Sequence, residues 1–371
     1  MTTTNAKTFN RKKAFQVFFG LVGLLFLAII VYWWLYLSHY ESTDNAYVAA
    51  PQIQVTAQVD GTISAVQVVE TQELKAGDVL FKIDPTEAKI ASQMADAELL
   101  KAYRASRSAI LMAKQRKTDL DRVSADLKRR QSLKGAAAVS KEELDHLQAQ
   151  YELANNGYKE ALERSDGLTD VSESANHPDV QKAQAAAKQA YVALLRTSVL
   201  SPVDAVVARR NAQVGQRVGP GAPLATLVML GETWVDANFK EDQLRSIRVG
   251  QSAKLEADIY GSKVVYTGRV VGLSPATGAN LSLLPAQNAT GNWVKVVQRL
   301  PVRIALDSEQ LKNNPLQVGL SMHVNVDTSK KDGAQLTSAE SVKAISTSIY
   351  ETQLVEADKH VQDMLNKAGK R

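Results

Sequence analysis

Residues 55–84 (VTAQVDGTISAVQVVETQELKAGDVLFKID) are repeated as residues 199–228 (VLSPVDAVVARRNAQVGQRVGPGAPLATLV). The two stretches align without a gap at an offset of 144 residues. Each has short alternating apolar runs, a glycine-containing turn and a final apolar run, which is typical of β-strands. Since each half is too short to bury a core alone, the repeat predicts one β-sandwich split by an insertion. Its predicted core residues are Ile63, Val66, Leu80, Val207 and Leu224.

The insertion, residues 85–198, predicts an α-helical hairpin. Thr86 to His177 contains no proline and only three glycines, so this stretch must be dominantly helical. A first arm ending at Lys134 would be about 73 Å long. One apolar stripe per arm predicts that the arms pack as an antiparallel coiled coil. The stripe on the first arm comprises Ile90, Met94, Ala97, Leu100, Leu120, Val123 and Leu127.

Two interruptions divide the helical pattern. The first is the predicted tip of the hairpin, residues 134–140, after which Ser140 and Glu143 have the spacing of a capping box that starts a new helix. The second is a polar segment, residues 165–178, where we expect a bulge or a break in the returning arm.

Residues 14–37 form an uncharged apolar run that predicts a transmembrane helix. Residues 1–13 supply four basic side chains, whereas Glu41 and Asp44 follow the run, so the N-terminus should be cytoplasmic and residues 38–371 periplasmic. The alternative is a cleaved signal peptide. The length of the run and its aromatic end favour an uncleaved anchor.

The remaining chain returns to β-structure. Residues 231–328 contain short apolar runs separated by turn residues, which predict a small β-barrel. Residues 40–54 predict a lead-in strand to the barrel, and residues 329–371 a polar C-terminal tail with a weakly amphipathic helix from Ile349 to Leu365. The predicted fold is therefore an elongated multidomain α+β protein. It comprises an N-terminal transmembrane helix, a split lipoyl-like sandwich with an inserted coiled-coil hairpin, and a small barrel.

The composition argues against several functions. The formal charge of +5 comes largely from the N-terminal cluster, so it is a poor indication of nucleic-acid binding. The chain has no cysteine, and its five histidines are not at metal-ligand spacing, so we expect no metal site. No phosphate-binding glycine loop and no nucleophile motif is present, so we expect no cofactor, no catalytic residue and no enzymatic activity.

The two half-units resemble lipoyl and biotinyl domains, which carry one modified lysine on the hairpin that joins their halves. In this chain the insertion replaces that hairpin, and Ile83-Asp84-Pro85 leads directly into helix. The sequence therefore does not favour a carrier domain of an enzyme.

Arg129, Leu133 and Ser140 have the spacing Arg-x3-Leu-x6-Ser around the tip. This spacing resembles the motif through which periplasmic adaptors bind TolC-like outer-membrane channels. In the simpler interpretation, Arg129 is a surface charge, Leu133 closes the stripe and Ser140 caps a helix. The position at the end of the hairpin favours binding, and a capping role for Ser140 is compatible with it.

The order of these segments resembles the membrane-fusion (HlyD-type) periplasmic adaptor family, and three stretches resemble its EmrA-type multidrug-export adaptors. They are residues 42–48 (STDNAYV), 233–241 (TWVDANFKE) and 284–304 (LPAQNATGNWVKVVQRLPVRI). The resemblance covers about residues 11–335.

The resemblance implies an adaptor in a tripartite efflux pump. Its expected partners are an inner-membrane major-facilitator proton antiporter, a TolC-like outer-membrane channel and further copies of itself, as a trimer or a hexamer. The exported compounds would be hydrophobic drugs or toxic compounds. An adaptor for a type I-like peptide or protein secretion system is the alternative.

Overall fold

A computed structural model describes residues 11–35, 39–132, 140–277, 297–334 and 345–370. The helices are α1 (Arg11–Leu35), α2 (Thr86–Ser132), α3 (Lys141–Arg164), α4 (Pro178–Leu195), α5 (Ser308–Asn313) and α6 (Ile349–Gly369). The strands are β1 (Tyr40–Ala49), β2 (Gln52–Thr56), β3 (Gly61–Val66), β4 (Glu73–Leu74), β5 (Val79–Ile83), β6 (Ser198–Leu200), β7 (Ala205–Arg210), β8 (Arg217–Val218), β9 (Pro223–Val228), β10 (Trp234–Lys240), β11 (Ser252–Ala257), β12 (Val265–Leu273), β13 (Arg299–Leu306) and β14 (Ser321–Asp327). They form two compact units.

The first unit contains α1 and a closed antiparallel barrel with the strand order β1-β10-β13-β12-β11-β14. Burial alternates along β10: Val235, Ala237 and Phe239 are buried, and the residues between them are partly exposed. Every second side chain of β10 therefore points into the packed apolar interior of the barrel, as is usual for a β-strand. The lead-in strand predicted at residues 40–54 is divided, since β1 is a strand of the barrel and β2 belongs to the sandwich.

Helix α1 covers most of the predicted span at residues 14–37, of which 36 and 37 lie outside the described residues. Among the residues that the structure describes, no helix is long and apolar enough to cross a membrane.

The second unit contains the split sandwich, the hairpin helices and α6. One sheet has the order β2-β9-β7-β4 and the other β6-β5-β3-β8, so each sheet takes strands from both halves of the repeat. Four of the five predicted core residues, Ile63, Leu80, Val207 and Leu224, are at most 1% exposed. Val66, the last residue of β3, is only partly buried, and Val68 is buried instead.

Backbone hydrogen bonds in the sandwich repeat at the offset predicted from the sequence. The amide of Gly77 donates to the carbonyl of Ser201 at 2.9 Å, and the equivalent amide of Gly221 donates to Ala57 at 2.9 Å. The amides of Gly215 and Thr71 likewise donate to Ile63 and Val207, at 2.9 and 2.8 Å. The two halves are therefore related by an approximate two-fold axis, and each completes the hydrogen bonding of the other.

The insertion forms the predicted helical hairpin, in which α2 packs against α3 and α4. The stripe predicted for the start of α2 was wrong, because Ile90 and Met94 are 51% and 69% exposed. The buried positions of α2 are Ser92, Leu99, Ser106, Ile110, Ala113 and Leu127. Small residues in this set let the helices approach closely, and they alternate with the larger Leu99, Ile110 and Leu127.

Helix α6, which lies in the predicted C-terminal tail, packs against α2 and α4. Val361 and Leu365 are buried against Leu99, Val180 and Ala187. Two polar contacts and one aromatic contact accompany this packing. Nε2 of His360 is 3.0 Å from the Asp96 carboxylate, the His360 ring stacks on Tyr191 at 4.0 Å, and Lys188 pairs with Asp358 at 2.6 Å. The hairpin next to the sandwich therefore has three helices.

Candidate functional site at the end of the hairpin

The last turn of α2 presents Arg129 to solvent. Its side chain is 71% exposed, and Nη2 lies 3.4 Å from Oδ1 of Asp126, one turn earlier. An exposed pair of this kind contributes little to stability, so the guanidinium can exchange this carboxylate for another partner. Ser132 closes the described end of the helix by donating its hydroxyl to the carbonyl of Arg129 at 2.7 Å.

Helix α3 begins immediately after Ser140. The Ser140 backbone is extended, and its hydroxyl accepts a hydrogen bond from the amide of Glu143 at 3.2 Å. This is the N-cap that the sequence predicts. Ser140 is exposed, so its hydroxyl can also contact a partner. Leu133 and residues 134–139 of the predicted tip lie outside the described residues.

An ion pair between the two arms was not predicted. Nη1 of Arg130 on α2 contacts Oε1 of Glu143 on α3. The sequence predicts that the Glu143 carboxylate completes a capping box with Ser140, whereas in the structure this carboxylate pairs with Arg130 on the opposite arm. Arginine at the end of one arm with glutamate at the start of the next was the available signal. The pair connects α2 and α3 beside Arg129 and Ser140, and both of its side chains are exposed.

The shifted pKa values lie away from this end. Hydrogen bonds from Thr86 lower the pKa of Asp84, and those from Ser172 lower the pKa of Asp170, each just before a helix. A carboxylate at such a position accepts the free amides of the first turn. Hydrogen bonds from Ser329 lower the pKa of Asp327, and burial raises the pKa values of Tyr266 and Tyr191.

The hairpin end has the chemistry of a binding surface. Exposed guanidinium, hydroxyl and carboxylate groups alternate over two adjacent helix ends. Within the described ranges, no three His, Cys, Asp or Glu side chains are grouped so that they could hold a metal ion. Such a surface suits polar contacts with another protein, in which guanidinium groups form directional hydrogen bonds.

A hairpin inserted into a split sandwich, with a separate six-stranded barrel, defines the class of periplasmic adaptor proteins. Residues 86–197 match the family described as "EMRA, alpha-helical hairpin domain", and residues 233–327 match "AAEA-like beta-barrel domain". The chain belongs to the EmrA-type family of membrane fusion proteins.

Relatives resemble the chain over most of its length. The "Multidrug export protein EmrA" of Escherichia coli K12 is 40% identical over 354 residues, which cover 91% of this chain and 90% of that protein. The "Fatty acid resistance protein FarA" of Neisseria gonorrhoeae is 42% identical over 346 residues, which cover 88% of this chain and 85% of that protein.

A solved structure has the same fold. The crystal structure of MacA from Actinobacillus actinomycetemcomitans aligns with a TM-score of 0.53 and 20% sequence identity, and the alignment covers 78% of each chain. The likeness concerns the fold alone.

Proposed function

We propose that this protein is the periplasmic adaptor of a tripartite multidrug efflux pump and helps to export hydrophobic drugs or toxic compounds. The observation that most supports this proposal is the long helical hairpin. It is inserted between the two halves of one sandwich, and each sheet of that sandwich takes strands from both halves. In this arrangement the β-sandwich is the folded base from which the two arms of the hairpin extend, so the hairpin can act as a spacer between partner proteins. The role is mechanical and not enzymatic.

The adaptor would be anchored in the bacterial inner membrane by one pass near its N-terminus, with the N-terminus cytoplasmic. Support comes from the uncharged run at residues 14–37 and from the side chains of α1, where Phe18, Leu21 and Leu24 are 61%, 65% and 71% exposed. Apolar side chains exposed in this way need a nonpolar environment. The positive-inside rule then directs the β-domains to the periplasm.

The proposed inner-membrane partner is a major-facilitator proton antiporter, and the proposed outer-membrane partner is a TolC-like channel. The channel would bind the hairpin end through Arg129, Leu133 and Ser140. The exposure of Arg129 and the cap at Ser140 support this assignment. Several copies, as a trimer or a hexamer, would place their hairpins side by side. Relatives named for multidrug export and fatty acid resistance favour efflux over peptide secretion.

Transport in cells tests this function. The full chain, expressed with a major-facilitator transporter and a TolC-like channel in cells that lack their own adaptor, should lower the accumulation of a fluorescent hydrophobic drug. A variant without residues 86–197 should not. Equal accumulation with and without the full chain would contradict the efflux role.

A further inference from the structure

Each sheet of the sandwich ends in a two-residue edge strand. β4 (Glu73–Leu74) is the last strand of one sheet, and β8 (Arg217–Val218) is the last strand of the other. The two strands lie at equivalent positions of the repeat, 144 residues apart. Leu74 and Val218 are both 5% exposed, whereas Glu73 and Arg217 are exposed to solvent. The two edges therefore present side chains of opposite charge at the same place.

The turn before each edge strand is also built in the same way in both halves. Oε1 of Gln72 accepts a hydrogen bond from the amide of Val69 at 3.1 Å, and Oε1 of Gln216 accepts one from the amide of Gln213 at 3.1 Å. Each turn exposes one valine, since Val69 is 67% and Val214 is 64% exposed. Each edge is therefore a small surface on which an apolar side chain lies close to a charged one.

The two edges differ in the sign of their charge. We call residues 69–75 the β4 edge and residues 213–219 the β8 edge. The β4 edge has two acidic side chains and one basic side chain, Glu70, Glu73 and Lys75, whereas Arg217 is the one charged side chain of the β8 edge. Among the residues that the structure describes, the side chains of Glu73 and Arg217 have no ion-pair or hydrogen-bond partner. Both charges are therefore available to a partner.

A further arginine beside the β4 edge is already engaged within the chain. Nη1 of Arg210 donates a hydrogen bond to the carbonyl of Ala212 at 2.9 Å. The backbone amide of Arg210 donates to Oε1 of Glu70 at 3.1 Å. The Arg210 guanidinium is thus directed at its own backbone and leaves Glu73 unpaired.

We propose that the β4 edge of one copy binds the β8 edge of the next copy, with Glu73 paired to Arg217 across the contact. The inference rests on the proposed side-by-side arrangement of several copies and identifies the surfaces through which they meet. Two β4 edges or two β8 edges would bring like charges together, whereas a β4 edge and a β8 edge bring opposite charges together. The same contact covers Val69 and Val214, which are exposed in a single chain.

The contact joins two different surfaces of the chain, so it can repeat from copy to copy. Such a head-to-tail contact produces a ring when the rotation between copies closes. The hairpin starts from the same sandwich, because α2 begins at Thr86 and the amide of Ile83 donates to the carbonyl of Thr197 at 2.8 Å. A head-to-tail order of the sandwiches would therefore also set the order of the hairpins.

Thiol cross-linking of the full chain tests the contact, since the natural chain has no cysteine that would interfere. Glu73→Cys and Arg217→Cys are expressed together with different affinity tags, and isolated membranes are treated with a short bismaleimide. The mixture should give a covalent dimer that carries both tags. Each variant alone should give no dimer, because Glu73→Cys alone detects only paired β4 edges and Arg217→Cys alone only paired β8 edges.

Lys82→Cys is the matched control for Arg217→Cys, because Lys82 is exposed on β5, which is an inner strand of its sheet. Its mixture with Glu73→Cys should give no dimer that carries both tags.

Charge reversal gives a second measurement of the same contact. Glu73→Arg and Arg217→Glu should each weaken self-association of the full chain about ten-fold, as measured by analytical ultracentrifugation in detergent. The combined variant should restore it, since its edges again have opposite charges. Lys82→Glu should associate as the natural chain does.

The proposal would be overturned if the mixture gave no more two-tag dimer than the Lys82→Cys control, or if the combined reversal failed to restore association. Either result would leave the edge charges as protection of exposed strand edges against aggregation. Drug accumulation in cells tests the efflux role separately. Active export by a chain that gives no such cross-link would contradict this contact and leave the proposed function intact.

Discussion

Thr71 and Gly215 occupy equivalent positions in the two halves of the sandwich, and both have left-handed backbones, with φ angles of 71° and 84°. Their amides make equivalent hydrogen bonds to the opposite half. Glycine adopts this conformation without strain, whereas a β-branched residue pays a steric cost. One half therefore carries strain that the other avoids.

We predict that Thr71→Gly stabilises the protein by about 0.5–1 kcal/mol, since the relieved strain exceeds the added flexibility of the unfolded chain. The mirrored substitution Gly215→Thr should destabilise it by about 1 kcal/mol. Thermal unfolding of both variants measures the two effects. Destabilisation by both substitutions would show that the Thr71 side chain makes a contact that outweighs its strain.

The sandwich should fold without the hairpin. The amide of Ile83 donates to the carbonyl of Thr197 at 2.8 Å, so the two ends of the insertion are already adjacent. Replacing residues 87–195 with a short Gly-Ser turn should therefore leave a cooperatively unfolding β-domain, measured by circular dichroism and thermal denaturation. A disordered product from this replacement would refute the shared sandwich.

The packing of α6 against the hairpin should depend on the buried side chain of Val361. Val361 is 4% exposed, so Val361→Asp would bury an unpaired carboxylate and release the helix, at a cost of several kcal/mol. Limited proteolysis should then cut residues 349–369 rapidly. Val355→Asp is the control, because Val355 is 67% exposed on the same helix. Equal protection of α6 in the two variants would contradict the described packing.

The hydroxyl of Tyr191 should lose its proton at a higher pH than an ordinary tyrosine does. Burial raises the pKa of its hydroxyl, and the charges of Glu356 and Asp96 raise it further. Because the folded pKa is raised, the contribution of neutral Tyr191 to α6 packing is present below about pH 10 and is lost as the pH rises further. The phenolate absorbance of the natural chain minus that of Tyr191→Phe isolates this group. If this difference in absorbance had its titration midpoint at the pH of an ordinary tyrosine, the raised pKa of Tyr191 would be refuted.

The repeat in the sequence predicted the shared sandwich, and residues 144 positions apart make equivalent hydrogen bonds in its two halves. The packing of α2 could not be predicted in the same way. A long helix has several faces, and here Ile90 and Met94 lie on the exposed one while Ser92 and Ser106 are buried. Apolar spacing alone cannot distinguish a buried face of small residues from an exposed face of large ones.

Contacts between residues far apart in the sequence are a second feature of the fold that could not be predicted. The packing of α6 depends on pairs such as His360 with Asp96, which are 264 residues apart, and no local pattern indicates them. Ser140 was predictable as a cap because its partner Glu143 is three residues away. Arg130 was missed because its partner lies on the opposite arm. Local hydrogen bonds follow from sequence, whereas pairings between elements require the fold.

We propose that the hairpin end binds an outer-membrane channel, and co-purification of a TolC-like channel with the full chain tests this binding most directly. Arg129→Asp should reduce channel recovery at least ten-fold, because a reversed charge in a desolvated contact typically costs about 2 kcal/mol or more. The matched control is Arg122→Asp, since Arg122 is 74% exposed and pairs with Asp119 three residues earlier, as Arg129 does with Asp126. Arg122→Asp should recover the channel as the natural chain does. Undiminished recovery with Arg129→Asp, at equal protein level and helix content, would contradict channel binding through Arg129 at the hairpin end.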